Sequence, residues 1–144
     1  MLVQQILKGK PQTGILTVSP DATVAEAAVI LARHRIGSVV VSANGEVPDG
    51  MLSERDIVRE LAGTGPACLS GKVSEYMTAR VETCTTSASA QELLERMTEG
   101  RFRHIPVVEG GRMVGLVSIG DVIKALLSET AMEKKALERM IMGR

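Results

Sequence analysis

The sequence predicts an α+β fold built from two copies of one strand–helix–strand–strand–helix unit. Three observations carry that prediction. A helix-opening segment, Thr23-Val24-Ala25-Glu26, returns 66 positions later as Ser89-Ala90-Gln91-Glu92. Each is followed by a run rich in β-branched residues, Val39-Val40-Val41 and then Ile105-Pro106-Val107-Val108. Each copy then reaches a glycine, two apolar residues and a serine, with an aspartate three positions on: Gly50-Met51-Leu52-Ser53 with Asp56, and Gly115-Leu116-Val117-Ser118 with Asp121. The offset at this last motif is 65, so the second hairpin is one residue shorter. Self-similarity at a fixed period marks units that stack on one another. A unit of half of 144 residues buries little core by itself, which gives the same expectation that the two pack on each other.

Taken in order, residues 2–7 form a lead-in to copy one, mirrored by a short helix over 73–77 leading into copy two. Extended stretches at 16–18 and 82–84 supply the first strands. The first helices carry apolar stripes, Val24, Ala27, Ala28 and Leu31 in one and Leu93, Leu94 and Met97 in the other. Thr23 with Glu26, and Ser89 with Glu92, read as capping boxes. Glycine turns, Asn44-Gly45 and Gly110-Gly111, close the hairpins. The second helices open at Ser53 and Ser118. Repeat 1 therefore spans residues 1–66, a linker 67–72, repeat 2 residues 73–128, and a helical extension 129–144. In the extension Met132, Ala136, Leu137, Met140 and Ile141 recur at helical spacing. Such a stripe covers the chain's own core or a dimer mate; the mixed charges around it disfavour a membrane-surface helix.

Composition narrows the function. The chain is 44% hydrophobic and 24% charged, with 17 basic and 17 acidic residues. Without a basic excess, nucleic acid is not the expected partner. Tyr76 and Phe102 are the aromatic residues, too few for base stacking. Cys68 and Cys84 form no C-x-x-C pair and read as reduced thiols of a cytoplasmic protein. The N-terminus lacks a signal-peptide pattern, and no apolar run is long enough to span a bilayer. No nucleophile–base pair or metal cluster is apparent, so the expectation is a binding protein and not an enzyme.

The two Ser-x-x-Asp junctions are where binding chemistry concentrates. A strand running into a helix leaves N–H groups that attract a phosphate. Serine can donate to a phosphate oxygen, and aspartate can accept from two ribose hydroxyls. The same spacing also makes a plain N-cap with an acidic first turn. Duplication copies a cap as readily as a site, so spacing alone leaves both readings open.

Residues 50–58, Gly-Met-Leu-Ser-Glu-Arg-Asp-Ile-Val, and 115–123, Gly-Leu-Val-Ser-Ile-Gly-Asp-Val-Ile, together with Phe102-Arg103-His104-Ile105-Pro106-Val107-Val108, carry a family resemblance. The chain resembles a tandem pair of cystathionine β-synthase (CBS) domains, a Bateman module, over nearly its whole length. The resemblance implies two small sheets packed about a pseudo-twofold axis, with two clefts shared between the copies. It implies that these clefts take AMP, ADP or ATP, and less readily S-adenosylmethionine or NAD(H), with no cofactor required. In one cleft Asp121 would hold the ribose, Ser118 the phosphate and Thr17 the adenine edge, with Arg103 and His104 at the phosphate. In the other, Ser53, Arg55 and Asp56 would sit with Thr83. A lone histidine at a strand start is also an ordinary structural residue, and His34 is read only so. Arg33 and Arg35 complement the end of the first helix. Copy one lacks the Arg-His pair and has Arg55 where copy two has Gly120, so its cleft is the weaker case. The implied function is a stand-alone regulatory module that signals to a separate target protein and forms a homodimer. The alternative is a structural dimerisation scaffold with vestigial clefts. An enzyme acting on a nucleotide ranks last, because no paired acid and base are in view.

Overall fold

The computed structural model describes residues 1–11 and 14–142. In chain order its elements are α1 (Val3–Lys8), β1 (Thr17–Val18), α2 (Val24–His34), β2 (Ser38–Val41), β3 (Gly50–Ser53), α3 (Glu54–Thr64), a 3-10 turn (Pro66–Ser70), α4 (Val73–Tyr76), α5 (Ala90–Gly100), β4 (His104–Glu109), β5 (Arg112–Ser118) and α6 (Ile119–Ile141). The two copies of strand, helix, hairpin and helix are therefore present. In copy one β1 runs parallel to β2, and β2 pairs antiparallel with β3, with Ser38 opposite Ser53. In copy two β4 pairs antiparallel with β5, with His104 opposite Ser118.

The predicted first strand of copy two, residues 82–84, is a correction. It shrinks to one parallel bridge, Cys84 to Val107. The Cys84 amide donates to the Pro106 carbonyl, and the Val108 amide to the Cys84 carbonyl. Pro106 stands where copy one has Val40, and a proline has no N–H to supply the next rung. The second hairpin is as tight as its Gly-Gly turn predicts: Gly110 and Gly111 both take positive φ, 58° and 80°, between the paired Glu109 and Arg112.

Two separate cores form, and the lead-in helices are exchanged between them. Val3 and Ile6 of α1 lie in the core of copy two, with Leu93, Met97, Ile105, Val107, Val117 and Val122. Val73 of α4 lies in the core of copy one, with Val18, Val24, Leu31, Val39, Val41 and Leu52. Matching backbone bonds seat both. Val3 donates to Ala88 and Gln4 to Thr86, while Val73 donates to Ala22 and Ser74 to Pro20. The segment expected to link the copies is mostly the 3-10 turn, and its Leu69 packs on copy one. The chain passes between copies after α4, where Thr78 pairs with Met51 at the free edge of β3.

The exchange explains the glycine that opens each motif. A Cβ on Gly115 would lie 2.5 Å from Leu7 Cδ2, and one on Gly50 would lie 2.5 Å from Met77 Sδ and 2.9 Å from the Thr78 carbonyl oxygen. Each lead-in crosses its sheet in close contact with the motif glycine, against a side chain at Gly115 and against backbone as well at Gly50.

α6 runs on to Ile141, so the predicted extension does continue the last helix. Its stripe does not cover the chain's own core: Met132, Leu137, Met140 and Ile141 are 57–78% exposed. The Met1 ammonium pairs with Glu129, at the point where α6 leaves the body of the molecule. Gly143 and Arg144 lie outside the described residues.

Candidate ligand-binding site

Both Ser-x-x-Asp junctions are closed capping boxes. The Asp56 amide donates to Ser53 Oγ at 3.1 Å, and the Ser53 amide returns to Asp56 Oδ2 at 2.9 Å. Ser118 and Asp121 repeat this at 3.1 and 2.9 Å. The boxes expected at the first helices are only half made. Thr23 and Ser89 accept from the amides of Glu26 and Glu92, but the two glutamates stay at the surface and do not reach back.

Capping consumes much of the N–H supply at these helix ends. The Glu54 amide donates to the Gly37 carbonyl and the Ile119 amide to the Arg103 carbonyl, both at 2.8 Å. In each first turn this leaves the second amide, that of Arg55 or Gly120, without a partner among the described residues. One unpartnered amide is a small anion site, so a phosphate here needs side-chain cations as well.

The two aspartates differ in their partners. Asp56 is buried, and its Oδ1 accepts from Arg59 Nη2 at 2.7 Å, one turn along its own helix. Asp121 is half-buried, and its Oδ2 accepts from Lys10 Nζ at 2.7 Å. Lys10 comes from the segment joining α1 to β1, and it also donates to the Leu116 carbonyl at 2.8 Å. Burial alone would raise the Asp121 pKa. The hydrogen bonds from Lys10 and Ser118 and the charge of Lys10 outweigh it and hold the carboxyl below its ordinary value.

His104 starts β4, and its Nδ1 is 2.9 Å from Ser38 Oγ, which starts β2. The two residues occupy equivalent places in the copies, so this bond joins the sheets across the pseudo-twofold axis. Burial lowers the His104 pKa and nearby Lys10 lowers it further; Asp121 works against them, and Arg103 adds to the lowering. Four of the predicted residues thus gather on copy two's side: Arg103, His104, Ser118 and Asp121. On the other side Ser53, Arg55 and Asp56 share one helix start, with Arg55 exposed. Thr17 and Thr83 lie in other contacts. Thr17 is in β1, in register with Val40, and the Thr83 carbonyl accepts from Arg96 at 2.7 Å. Neither is hydrogen-bonded to its assigned junction among the described residues.

Lys10 and Ser38 were not legible as site residues. Lys10 meets a partner 111 positions away from a segment without a motif, and only the exchanged α1 brings it there. For Ser38 a signal existed: it sits 66 positions before His104, the repeat offset itself.

The CBS domain family model matches residues 3–63 and 73–128, both copies. The chain belongs to the CBS domain family. A mitochondrial CBS domain-containing protein of Arabidopsis thaliana is 36% identical over 141 residues, covering 94% of this chain and 68% of the plant protein. The crystal structure of a CBS-domain protein from Agrobacterium tumefaciens is 45% identical, with TM-score 0.81, over 87% of this chain and 98% of that one. A CBS domain protein from Pyrobaculum aerophilum, solved in complex with AMP, is 27% identical with TM-score 0.75, over 92% and 99% of the two chains. A CBS domain pair solved with 5′-methylthioadenosine and S-adenosyl-L-methionine is 25% identical with TM-score 0.74, over 90% and 98%. In this tandem CBS pair no helix among the described residues is long and apolar enough to cross a membrane. No group of metal-ligating side chains gathers among those residues either.

Proposed function

We propose that this chain is a regulatory module that binds an adenine nucleotide in a cleft between its CBS repeats and signals the occupancy to a separate protein. The observation that carries the reading is the half-buried Asp121 carboxylate, paired with Lys10 and close to His104, whose ring is bonded to Ser38 of the other copy. An ionised carboxylate suits a ribose diol, and cations suit a phosphate. AMP is the first ligand to test, then ADP and ATP, because an AMP complex is known for a related CBS protein. S-adenosylmethionine and NAD(H) follow. Asp121 takes the ribose, Ser118, Arg103 and His104 the phosphate, and Thr17 the adenine edge. The second cleft uses Ser53, Arg55, Asp56 and Thr83. It is the weaker of the two, because Asp56 is more buried than Asp121 and copy one has no Arg-His pair at its strand.

The module acts as a homodimer, a reading supported by the uncovered apolar residues of α6 and by Val58 and Ile123 at equivalent places on α3 and α6. The buried free thiols of Cys68 and Cys84 fit a reducing compartment such as the cytoplasm. A scaffold with vestigial clefts is the second reading, favoured by one observation: both aspartates are spent on capping boxes.

Thermal unfolding with millimolar AMP, ADP, ATP, NADH or S-adenosylmethionine separates these readings, since a ligand of the folded state raises the melting temperature by mass action. A nucleotide-induced rise that Asp121→Ala abolishes is the expected result. No rise with any of the five supports the scaffold, and a rise that survives Asp121→Ala displaces the ligand from this cleft.

A further inference from the structure

We propose that Lys10 sets the charge preference of the copy-two cleft, selecting adenosine ligands with an anionic 5′-substituent over neutral or cationic ones. The inference rests on the reading that Asp121 holds a ribose. The Lys10 ammonium lies 2.7 Å from Asp121 Oδ2 and 2.8 Å from the Leu116 carbonyl oxygen. Oδ2 also accepts the Ser118 amide, while Oδ1 has no partner among the described residues. A diol arriving at this carboxylate therefore comes to lie directly against the ammonium. Lysine carries a compact charge on a flexible stem, so Nζ can follow the ligand's 5′ group while its backbone stays in place.

The surrounding charge points the same way. Lys10 and Arg103 both act on His104 as cations, and Asp121 is the carboxylate that opposes them. Of these three charged groups two are cations and one is an anion, so together they leave one positive charge beside His104. A 5′-phosphate is attracted there, a 5′-methylthio group is indifferent, and a sulfonium is repelled. In copy one no lead-in lysine reaches the aspartate among the described residues. The partner of Asp56 is Arg59 of its own helix, and the lead-in there contributes the Met77 side chain and the Thr78 carbonyl to the sheet edge.

The test is calorimetric titration of the full chain with AMP, 5′-methylthioadenosine and S-adenosylmethionine, in wild type, K10Q, K10R and D121N. K10Q removes the charge but keeps a donor for the Leu116 carbonyl. In K10Q, AMP affinity should fall by about tenfold, that for methylthioadenosine should change by less than about twofold, and that for S-adenosylmethionine should rise. K10R should keep the wild-type order. A merely structural Lys10 would shift all three ligands by one common factor, and that result overturns the proposal. A gain in AMP affinity in K10Q overturns it too, because Lys10 would then be an internal plug of the cleft. If the wild type binds these ligands and D121N abolishes binding, but the K10Q ratios match the wild type, the role of Lys10 falls and the nucleotide reading stands. If the wild type binds none of the three, both fall together.

Discussion

The two motif glycines should not respond alike to alanine, although they occupy equivalent places. At Gly115 the three atoms nearest the added methyl are Leu7 side-chain carbons, at 2.5, 2.9 and 3.2 Å. Leu7 is half-buried and can turn away. At Gly50 the methyl meets Met77 Sδ at 2.5 Å and the Thr78 carbonyl oxygen at 2.9 Å. That oxygen is held, because Thr78 and Met51 exchange both backbone bonds, at 2.9 and 3.0 Å. Neither glycine has positive φ, so alanine gains about 0.4–1 kcal/mol by restricting the unfolded chain. Overpacking that the surroundings cannot relieve costs about 1–3 kcal/mol. Gly115→Ala should therefore fall within about 1 kcal/mol of wild type, while Gly50→Ala loses about 2 kcal/mol. At this size that is a drop of roughly 4–8 °C in melting temperature. Urea unfolding of both variants, alone and paired with Leu7→Ala or Met77→Ala, measures the couplings. Met77→Ala should rescue Gly50→Ala only in part, since the carbonyl remains. Full rescue would refute the held Thr78 carbonyl as a cause of the Gly50→Ala cost, and a Gly115→Ala cost equal to that of Gly50→Ala would refute the freedom of Leu7 to turn away.

Arg35 and Arg101 end α2 and α5 in the left-handed region, with φ of 53° and 56°. Arg101→Gly should stabilise by about 0.5–1 kcal/mol, read as a higher urea midpoint at unchanged slope; a lower midpoint would mean that the arginine side chain has a role of its own. His104 has a folded pKa below its ordinary 6.5, so the unfolded chain binds the extra proton first. The stability it contributes is complete above about pH 6.5 and declines as the pH falls through the window below. His104→Gln should flatten that decline between pH 7 and 5, and an unchanged slope would place the linkage elsewhere.

Whatever depends on neighbours in the chain was legible in the sequence. The repeat offset located both hairpins and all four long helices, and the Ser-x-x-Asp spacing located both junctions. The glutamates of the first-helix boxes misled because spacing shows that a side chain can return a bond, not that it does. Pro106 was visible in the sequence, but its effect falls on residues 82–84, more than twenty positions away, through a missing N–H. The exchange of α1 and α4 left no local mark beyond Gly50 and Gly115, whose small size carries no address for what approaches them. Lys10 follows from the same blind spot: the ion pair exists only because α1 is seated in the other copy.

That exchange also decides how the chain can be cut. A fragment of residues 1–66 follows the repeat boundary but leaves copy one without Val73, Tyr76 and Met77, and it keeps an α1 whose core is gone. Fully burying a valine is worth about 1.5–3 kcal/mol. Losing Val73, two partly buried neighbours and the Thr78 pairing at the β3 edge removes several such contributions, comparable with the whole stability of a unit this small. A fragment of residues 14–80 carries the complete copy-one core, including Val73 and the Met51–Thr78 bridge, although it crosses into the second repeat by sequence. The expected result is that 14–80 gives a cooperative urea transition by circular dichroism and 1–66 does not. Cooperative unfolding of 1–66 with the higher midpoint would mean that each lead-in stabilises the copy it precedes in sequence, against the packing described above.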